Sequence, residues 1–374
     1  MKICIYNVTS TTHFGGLETY CWQMGQALAA LDHLVTLVAG EVANVQEAGA
    51  KAESCGITLR CFHFRTRQSF PDLGSRFGKL MERLSFAKQA MPWLLRQNFD
   101  AVIIVKPFDM PALWWARRRG MKAVTILASG GVDFFAADRI FCSSVDYLVA
   151  CSTYNARQLE ARYGRTGEII PYGADVQSFT STMEAARQVR AELAIPAQAT
   201  LCISVGRLVG WKGLHIVVQA ISRLPNVHFL IVGDGEERQR LQDLAQKLEV
   251  GARIHFAGRV EHAKLPRFFS ASDLFVQPSI GEEAFGISVV EAMSTSLPVL
   301  VSKNGGMVDF VRDGIDGLIL PPADVNAWRQ AIDTLSRDRD RRQQMAMAGN
   351  AQVSAHYSWK KNAEAVLRLV SKGQ

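Results

Sequence analysis

A chain of 374 residues with a formal net charge of +7, 48% apolar and 21% charged, has ordinary globular composition and is long enough for two domains. No apolar run approaches the roughly 18 residues that a membrane-spanning helix needs. The seven cysteines (Cys4, Cys21, Cys55, Cys61, Cys142, Cys151, Cys202) are scattered, odd in number and never spaced C-x-x-C, which points to a reduced, cytoplasmic protein without a zinc site.

Residues 1–6 read as a first strand, too short for the core of a signal peptide before Asn7, Thr9 and Ser10 interrupt it. The loop that follows contains Phe14-Gly15-Gly16-Leu17-Glu18. Beyond it Leu17, Tyr20, Met24, Leu28 and Leu31 recur at helical spacing. Gly15 and Gly16 thus stand at a strand-to-helix junction, where backbone N–H groups can reach a phosphate across an interdomain cleft; taken alone, a Gly-Gly there is ordinarily only a turn. Further strand-like runs fall at 34–39, 100–105, 123–127 and 147–151, with helical material between. Short apolar runs alternating with helices imply a parallel sheet buried on both faces.

Residues 60–122 hold 13 Lys or Arg against 4 Asp or Glu, a surplus larger than the net charge of the whole chain. In residues 60–96 these basic residues interleave with Phe62, Phe64, Phe70, Phe77, Phe86, Met91 and Trp93. That mixture suits an anionic membrane surface, and an acceptor-side helix pair with a solvated basic face accounts for it as well. No nucleic-acid-binding module surrounds the charge, which sets nucleic acid aside as a partner.

After a hinge placed between Tyr172 and Thr200, the opening unit repeats. Residues 200–205 form a strand, 206–213 a glycine-bearing loop and 214–221 a helix. Two strand–loop–helix openings about 200 residues apart predict two doubly wound α/β domains. Strand-like runs recur at 228–232, 253–256, 274–277 and 299–302. In the loop Gly206-Arg207-Leu208-Val209-Gly210-Trp211-Lys212-Gly213, two cations flank a turn whose glycines allow close approach. A diphosphate is the ligand such a loop suits, and a solvated surface pair is the plain alternative. It is not a Walker loop, because Gly213 stands where Ser or Thr would bind magnesium. Gly233-Asp234-Gly235 ends a second strand on the same sheet edge.

The stretch 281–298 carries Glu283 and Glu291 on either side of Ala284-Phe285-Gly286. It predicts a helix over 287–294, with Glu283 in the loop at its N-terminus and Glu291 about two turns inside. Free backbone N–H groups there can hold an anion, and the carboxylates can accept from hydroxyls. By itself the pair is also readable as two solvated surface glutamates. Asp338 and Asp340 match D-x-D formally but lie in a solvated run of arginines. The eight histidines are dispersed, and no metal set emerges. Near the end, Trp359, Ala363, Val366, Leu367 and Val370 form one apolar stripe.

In this order the residues resemble the retaining glycosyltransferases of family 4, which have the GT-B fold: two Rossmann-like domains facing a central cleft. The matches are Gly15-Gly16-Leu17-Glu18, Pro171-Tyr172-Gly173-Ala174-Asp175, Gly206-Arg207 with Lys212-Gly213, Val232-Gly233-Asp234-Gly235, Gly258-Arg259, the Glu283 to Glu291 stretch, and Gly305-Gly306. They span nearly the whole chain.

The resemblance implies an N-terminal acceptor-binding domain over 1–180 plus a returning helix at about 357–374, and a donor-binding domain over 181–356. It implies that Arg207 and Lys212 neutralise the leaving diphosphate, with Gly16 assisting and Gly15, Gly206 and Gly235 lining the donor. Glu283 and the backbone of Ala284, Phe285, Gly286 and Ile287 would hold the donor sugar, and Glu291 the ribose. The donor would be a UDP-, GDP- or ADP-sugar and the acceptor a glycan, glycolipid or other hydroxyl compound, with no cofactor and no metal at the reacting centre. Many relatives carry a histidine after the strand equivalent to 123–127. Here Ala128-Ser129-Gly130-Gly131-Val132-Asp133 has none, so Ser129 or Asp133 would take its place near the sugar. Asp309 stands where glutamate is more usual. A cytoplasmic enzyme, peripheral on the inner face of the membrane, is the expected setting. Nucleotide-sugar epimerases and hydrolases of the same fold, and a non-catalytic binding subunit, are the competing readings.

Overall fold

The apolar runs form two separate all-parallel sheets in the structure, a computed structural model. It describes every residue except Phe14, Ala43, Val132, Asp175, Val176, Gln177, Ser178, Thr180, Ser181 and Gln374, and the side chain of Val45. The expectations that touch Phe14, Val132 and Asp175 therefore lie outside the described residues. The chain divides into one unit of Met1–Tyr172 with Trp359–Gln374 and a second of Gly173–Ser358. The division thus falls ahead of the boundary expected at 180.

The first unit holds seven strands: β1 (Lys2–Tyr6), β2 (Leu34–Gly40), β3 (Thr58–Phe62), β4 (Ala101–Ile104), β5 (Val124–Ser129), β6 (Tyr147–Ala150) and β7 (Glu168–Ile169), in the order β3-β2-β1-β4-β5-β6-β7. Its centre consists of β1 and β4, paired from Ile3 against Ala101 to Tyr6 against Ile104. From Ile3 to Tyr6 and across β4 no side chain is exposed, which is why these segments read as unbroken apolar runs. Each large aliphatic side chain so buried contributes about 1.5–3 kcal/mol. The stripe near the C-terminus becomes the helix Trp359–Gly373, which docks on the helix Gly16–Ala29. Its Trp359 ring packs 5.9 Å from Tyr20 and 6.1 Å from Tyr172.

Beyond the end of β1, Arg83 of the helix Ser75–Leu95 forms a buried ion pair with Asp109 and donates to Asn7 Oδ1 at 3.0 Å. Burial costs both charges their hydration, and burial is what pushes the Asp109 carboxyl up, while the pair and the amide oxygen offset the cost. The arrangement ties that helix to the carboxyl edge of the sheet.

The second unit holds β8 (Thr200–Val205), β9 (Val227–Val232), β10 (Ile254–Gly258), β11 (Leu274–Gln277), β12 (Val299–Ser302) and β13 (Gly317–Leu320), in the order β10-β9-β8-β11-β12-β13. Its core lies on both faces of β8, β9 and β11 and includes Trp328 and Phe229, neither of them exposed.

On the neighbouring strands β9 and β10, His228 and His255 stack with planes 9° apart and ring nitrogens 3.0 Å apart. Burial, and then His228, push His255 down from the ordinary 6.5 to about 4; burial also lowers His228. These folded rings bind protons less readily than unfolded ones, so the unfolded state takes up the extra proton as pH falls. The pair's contribution to stability is therefore complete above pH 6.5 and is lost as pH drops towards 4. The urea midpoint is expected to fall between about pH 7 and pH 4.5, and to fall less in His255→Gln. An undiminished pH dependence in that variant would rule out the pair as its source.

Candidate active site

In the second sheet the order reverses between β8 and β11; in open α/β sheets the crevice outside the carboxyl ends of the strands at such a switch point is where ligands bind. The loop after β8 supplies Gly206 and Arg207, and its turn Gly210–Lys212 closes at Gly213. The loop after β11 runs from Pro278 to Gly286, where the helix Ile287–Ser294 begins.

Close contacts lock the two loops together. Backbone N–H groups of Ile280 and Gly281 donate to the Trp211 carbonyl at 2.8 and 3.0 Å. A Cβ on Gly213 would lie 2.1 Å from the Pro278 carbonyl oxygen, and Gly213 has φ +65. On the far side Asn304 Nδ2 donates to the Gly281 carbonyl at 2.6 Å, and the Gly306 N–H to that of Glu283 at 2.9 Å. The glycines at 213 and 305 thus let three backbone segments pack closely, a Cβ on Gly305 falling 1.9 Å from the Glu283 carbonyl oxygen.

This packing delivers Lys212 Nζ to Glu283 Oε2 at 2.5 Å, both side chains 14% exposed. Gln277 at the end of β11 donates to the same carboxylate oxygen at 3.1 Å. Lys212 Nζ also lies 3.8 Å from where a Cβ on Gly206 would be, so the ammonium covers the bare backbone of that loop. Arg207 is exposed, and its guanidinium has no hydrogen-bond or ionic partner among the described residues.

The helix Ile287–Ser294 starts at Gly286, φ +92, with no side-chain cap on its N-terminal N–H groups. The helix begins where the sequence predicts, and Glu291 is its fifth residue, a little over one turn in rather than two. Glu291 is only 5% exposed and accepts from His262 Nε2 at 2.6 Å, a partner that nothing in the local sequence announces. The Phe285 ring packs against Phe310 and Tyr357, at 4.9 and 6.3 Å. Ala284 and Ile287 are likewise buried. Gly235 packs on the preceding loop: a Cβ there would lie 2.3 Å from the Leu208 carbonyl oxygen. Asp338, half of the formal D-x-D, caps the helix Arg339–His356 by accepting from the Arg341 N–H at 2.9 Å.

In the first unit, Gly15 is the N-cap and Gly16 the first residue of the helix Gly16–Ala29. The carboxylate of Glu18 folds back over that end, with Oε2 2.7 Å from a Cβ position on Gly15 and Oε1 accepting from Thr9 at 2.6 Å. Ser129 is 1% exposed; its hydroxyl accepts from Asn155 and donates to the Gly131 carbonyl, both at 3.2 Å. Its side chain is committed to holding this loop. Asp133, by contrast, is partly exposed and pairs with Lys79 at 2.9 Å and Lys106 at 3.8 Å. Burial lowers the Lys106 pKa, and Arg83 adds to the effect.

The basic and aromatic residues of 60–96 separate only in part. Phe86, Phe62, Phe64 and Trp93 contact one another in an inward cluster, while Arg60, Arg65, Arg76, Lys88 and Arg96 stay at the surface. Arg60 and Arg65 nevertheless lie over Trp93 and Phe70, at 6.0 and 4.6 Å from the ring centroids. The two types also meet further on, at Arg118 over Trp114 and Arg119 over Trp115, 4.0 and 4.9 Å apart. Among the described residues no helix is long and apolar enough to cross a membrane.

Residues 14–178 match the family described as Glycosyltransferase Family 4, and residues 186–352 match Glycosyl transferases group 1. The chain belongs to the family 4 glycosyltransferases. Among curated relatives of this family 4 chain, it is 33% identical over 196 residues to the lipopolysaccharide core biosynthesis glycosyltransferase LpsE of Rhizobium meliloti, covering 52% of this chain and 57% of that one. It is 33% identical over 243 residues to a D-inositol 3-phosphate glycosyltransferase of Corynebacterium urealyticum, covering 60% and 56%. The chain thus spans little more than half the length of the curated relatives it matches. Among solved structures, Anabaena HepE in complex with UDP-glucose superposes with a TM-score of 0.84 at 20% identity, covering 100% of both chains. Sucrose-phosphate synthase from Thermosynechococcus elongatus gives 0.83 at 22% identity, covering 100% and 98%. The fold of this family 4 chain is accordingly GT-B.

Proposed function

We propose that this protein is a retaining hexosyltransferase. It takes a UDP-, GDP- or ADP-sugar and passes the hexosyl group to a hydroxyl of a glycan, glycolipid or other acceptor, in the biosynthesis of lipopolysaccharide, exopolysaccharide or glycolipid. The observation that carries the reading is the meeting of Lys212, Glu283 and an uncapped helix N-terminus at the β8/β11 crevice. A sugar diphosphate needs a cation for its phosphates, free N–H donors and an acceptor for its hydroxyls, all within a few ångströms.

In this reading the diphosphate takes Lys212 and Arg207, and Glu283 turns from the ammonium to the sugar hydroxyls. Glu291 accepts from the ribose. The bond between C1 and the phosphate oxygen breaks to an oxocarbenium-like state, and the acceptor oxygen attacks C1 from the same face. The departing phosphate oxygen takes the acceptor's proton. The protein's contribution is to stabilise the growing negative charge with cations already in place and to hold the acceptor in line. Two cations meet the charge of the diphosphate, so the reading calls for no metal.

Thermal-shift measurements against UDP-, GDP- and ADP-sugars test donor binding, since a ligand at 100 times its Kd adds about 2.7 kcal/mol of apparent stability. Nucleoside diphosphate release is then followed with the binding donor, with and without extracted glycolipids and oligosaccharides. Release that depends on acceptor supports transfer. Equal release without acceptor identifies a hydrolase or epimerase, and no shift with any sugar nucleotide leaves a non-catalytic subunit.

A further inference from the structure

The second carboxylate of the site is not a free acceptor. Glu291 lies at 5% exposure inside the helix Ile287–Ser294, and one of its oxygens, Oε1, accepts from His262 Nε2 at 2.6 Å. The other oxygen, Oε2, takes no hydrogen bond among the described residues. His262 comes from a different element, the turn His262–Lys264 that follows edge strand β10. Its ring is tilted onto Phe179 at 5.1 Å, and Phe179, itself 5% exposed, rests on Phe269 at 6.0 Å. The imidazole is therefore supported from behind by two packed rings and holds Glu291 from the side.

A nearly buried carboxylate that is free to rotate about its last bond presents its lone pairs in many directions and loses that freedom when it binds. One held at Oε1 by a supported N–H has already lost it, and its remaining lone pairs point one way.

We propose that His262 is the positioning residue for ribose recognition: it holds Glu291 through Oε1 so that Oε2 meets the ribose hydroxyls of the donor. This rests on the assignment of Glu291 to the ribose made above. His262 touches no reacting atom, and its effect is confined to the affinity difference between ribose and deoxyribose.

The test uses the full-length protein and whichever of UDP, GDP and ADP binds it, together with the 2′-deoxy and 3′-deoxy forms of that nucleotide. The wild type is expected to bind the ribose form about ten-fold or more tighter than at least one deoxy form, the size of a hydrogen bond to a charged group. His262→Ala and His262→Asn, whose side chains do not reach Glu291, are expected to weaken the ribose form alone and to shrink the discrimination below about three-fold. His262→Gln places an amide N–H near the Nε2 position and is expected to restore a substantial part of it. If His262→Ala does not fold, the Asn and Gln variants carry the same comparison.

Equal weakening of ribose and deoxyribose forms, or wild-type discrimination in the Asn variant, overturns the inference and leaves His262 a structural tie. Glu291→Gln separates the two assignments. Discrimination that survives Glu291→Gln overturns the placement of Glu291 on the ribose. Discrimination lost in Glu291→Gln but kept in His262→Asn overturns only the role of His262.

Discussion

Replacing Lys212 by alanine is expected to lower turnover by roughly 30- to 1,000-fold, the equivalent of about 2–4 kcal/mol of lost charge stabilisation. The reasoning begins at the 2.5 Å contact with Glu283. A lysine in a crevice with one carboxylate partner is electrically satisfied. A diphosphate displaces that carboxylate because it carries more charge, and its charge grows as the sugar departs. The interaction therefore strengthens on the way to the transition state, and the loss falls on kcat more than on KM. Arg207→Ala acts on the same charge and is expected to show a loss in the same range.

The partner residue separates this from a purely structural role. Glu283→Gln removes the competitor for Lys212, so the nucleoside diphosphate alone is expected to bind at least as tightly as to the wild type. The sugar nucleotide, deprived of the acceptor for its hydroxyls, is expected to bind more weakly. Near-normal turnover in both Lys212→Ala and Arg207→Ala, measured with saturating donor, would sink the assignment.

Gly305→Ala is expected to abolish most donor affinity and to destabilise the second unit by about 2–5 kcal/mol. Gly305 has φ +66, which costs an alanine roughly 1–2 kcal/mol. The added Cβ would also stand 1.9 Å from the Glu283 carbonyl oxygen and 2.8 Å from its carbon. Overpacking of this kind costs about 1–3 kcal/mol, because backbone cannot rotate out of the way as a flexible side chain can. To relieve it, the chain at Glu283 must move and the bond from the Gly306 N–H must stretch. A shift of about 1 Å in a positioning residue costs on the order of 100-fold in rate.

Gly314 provides the control. It has φ +76, yet a Cβ there meets nothing within 4 Å. Gly314→Ala is therefore expected to carry the backbone penalty alone and to keep full turnover. Equal activity of Gly305→Ala and Gly314→Ala, at matched folded fractions from denaturant titration, would show that Glu283 is not held from Gly305.

The same crevice separates what can be read along the chain from what cannot. The central strands β1, β4, β8, β9 and β11 are legible because a parallel sheet covered on both faces demands unbroken apolar runs. The edge strands β3, β7 and β13 escaped notice for the complementary reason. Thr58–Phe62, Glu168–Ile169 and Gly317–Leu320 are half-covered or short, and their pairing depends on a neighbour already in place. Arg207, Lys212 and Glu283 stood out through their order along the chain with the other motifs of the family, since each alone is also readable as a solvated surface charge. His262 did not, since its partner lies 29 residues away and meets it only once β10 and β11 have taken their places in the sheet.

By itself the sequence determined the two α/β units, the loops bearing the charges and the glycines that let those loops touch. Each of these follows from local rules of burial, period and backbone freedom. Only the tertiary structure decided that Lys212 and Glu283 are partners, that Ser129 is committed to its own loop while Asp133 is held by two lysines, and that the phenylalanines at 62, 64 and 86 face the core. These are contacts between segments far apart in the chain. Which charge meets which, and which ring turns inward, is set by the order in which the strands assemble at a switch point, and no local pattern carries that order.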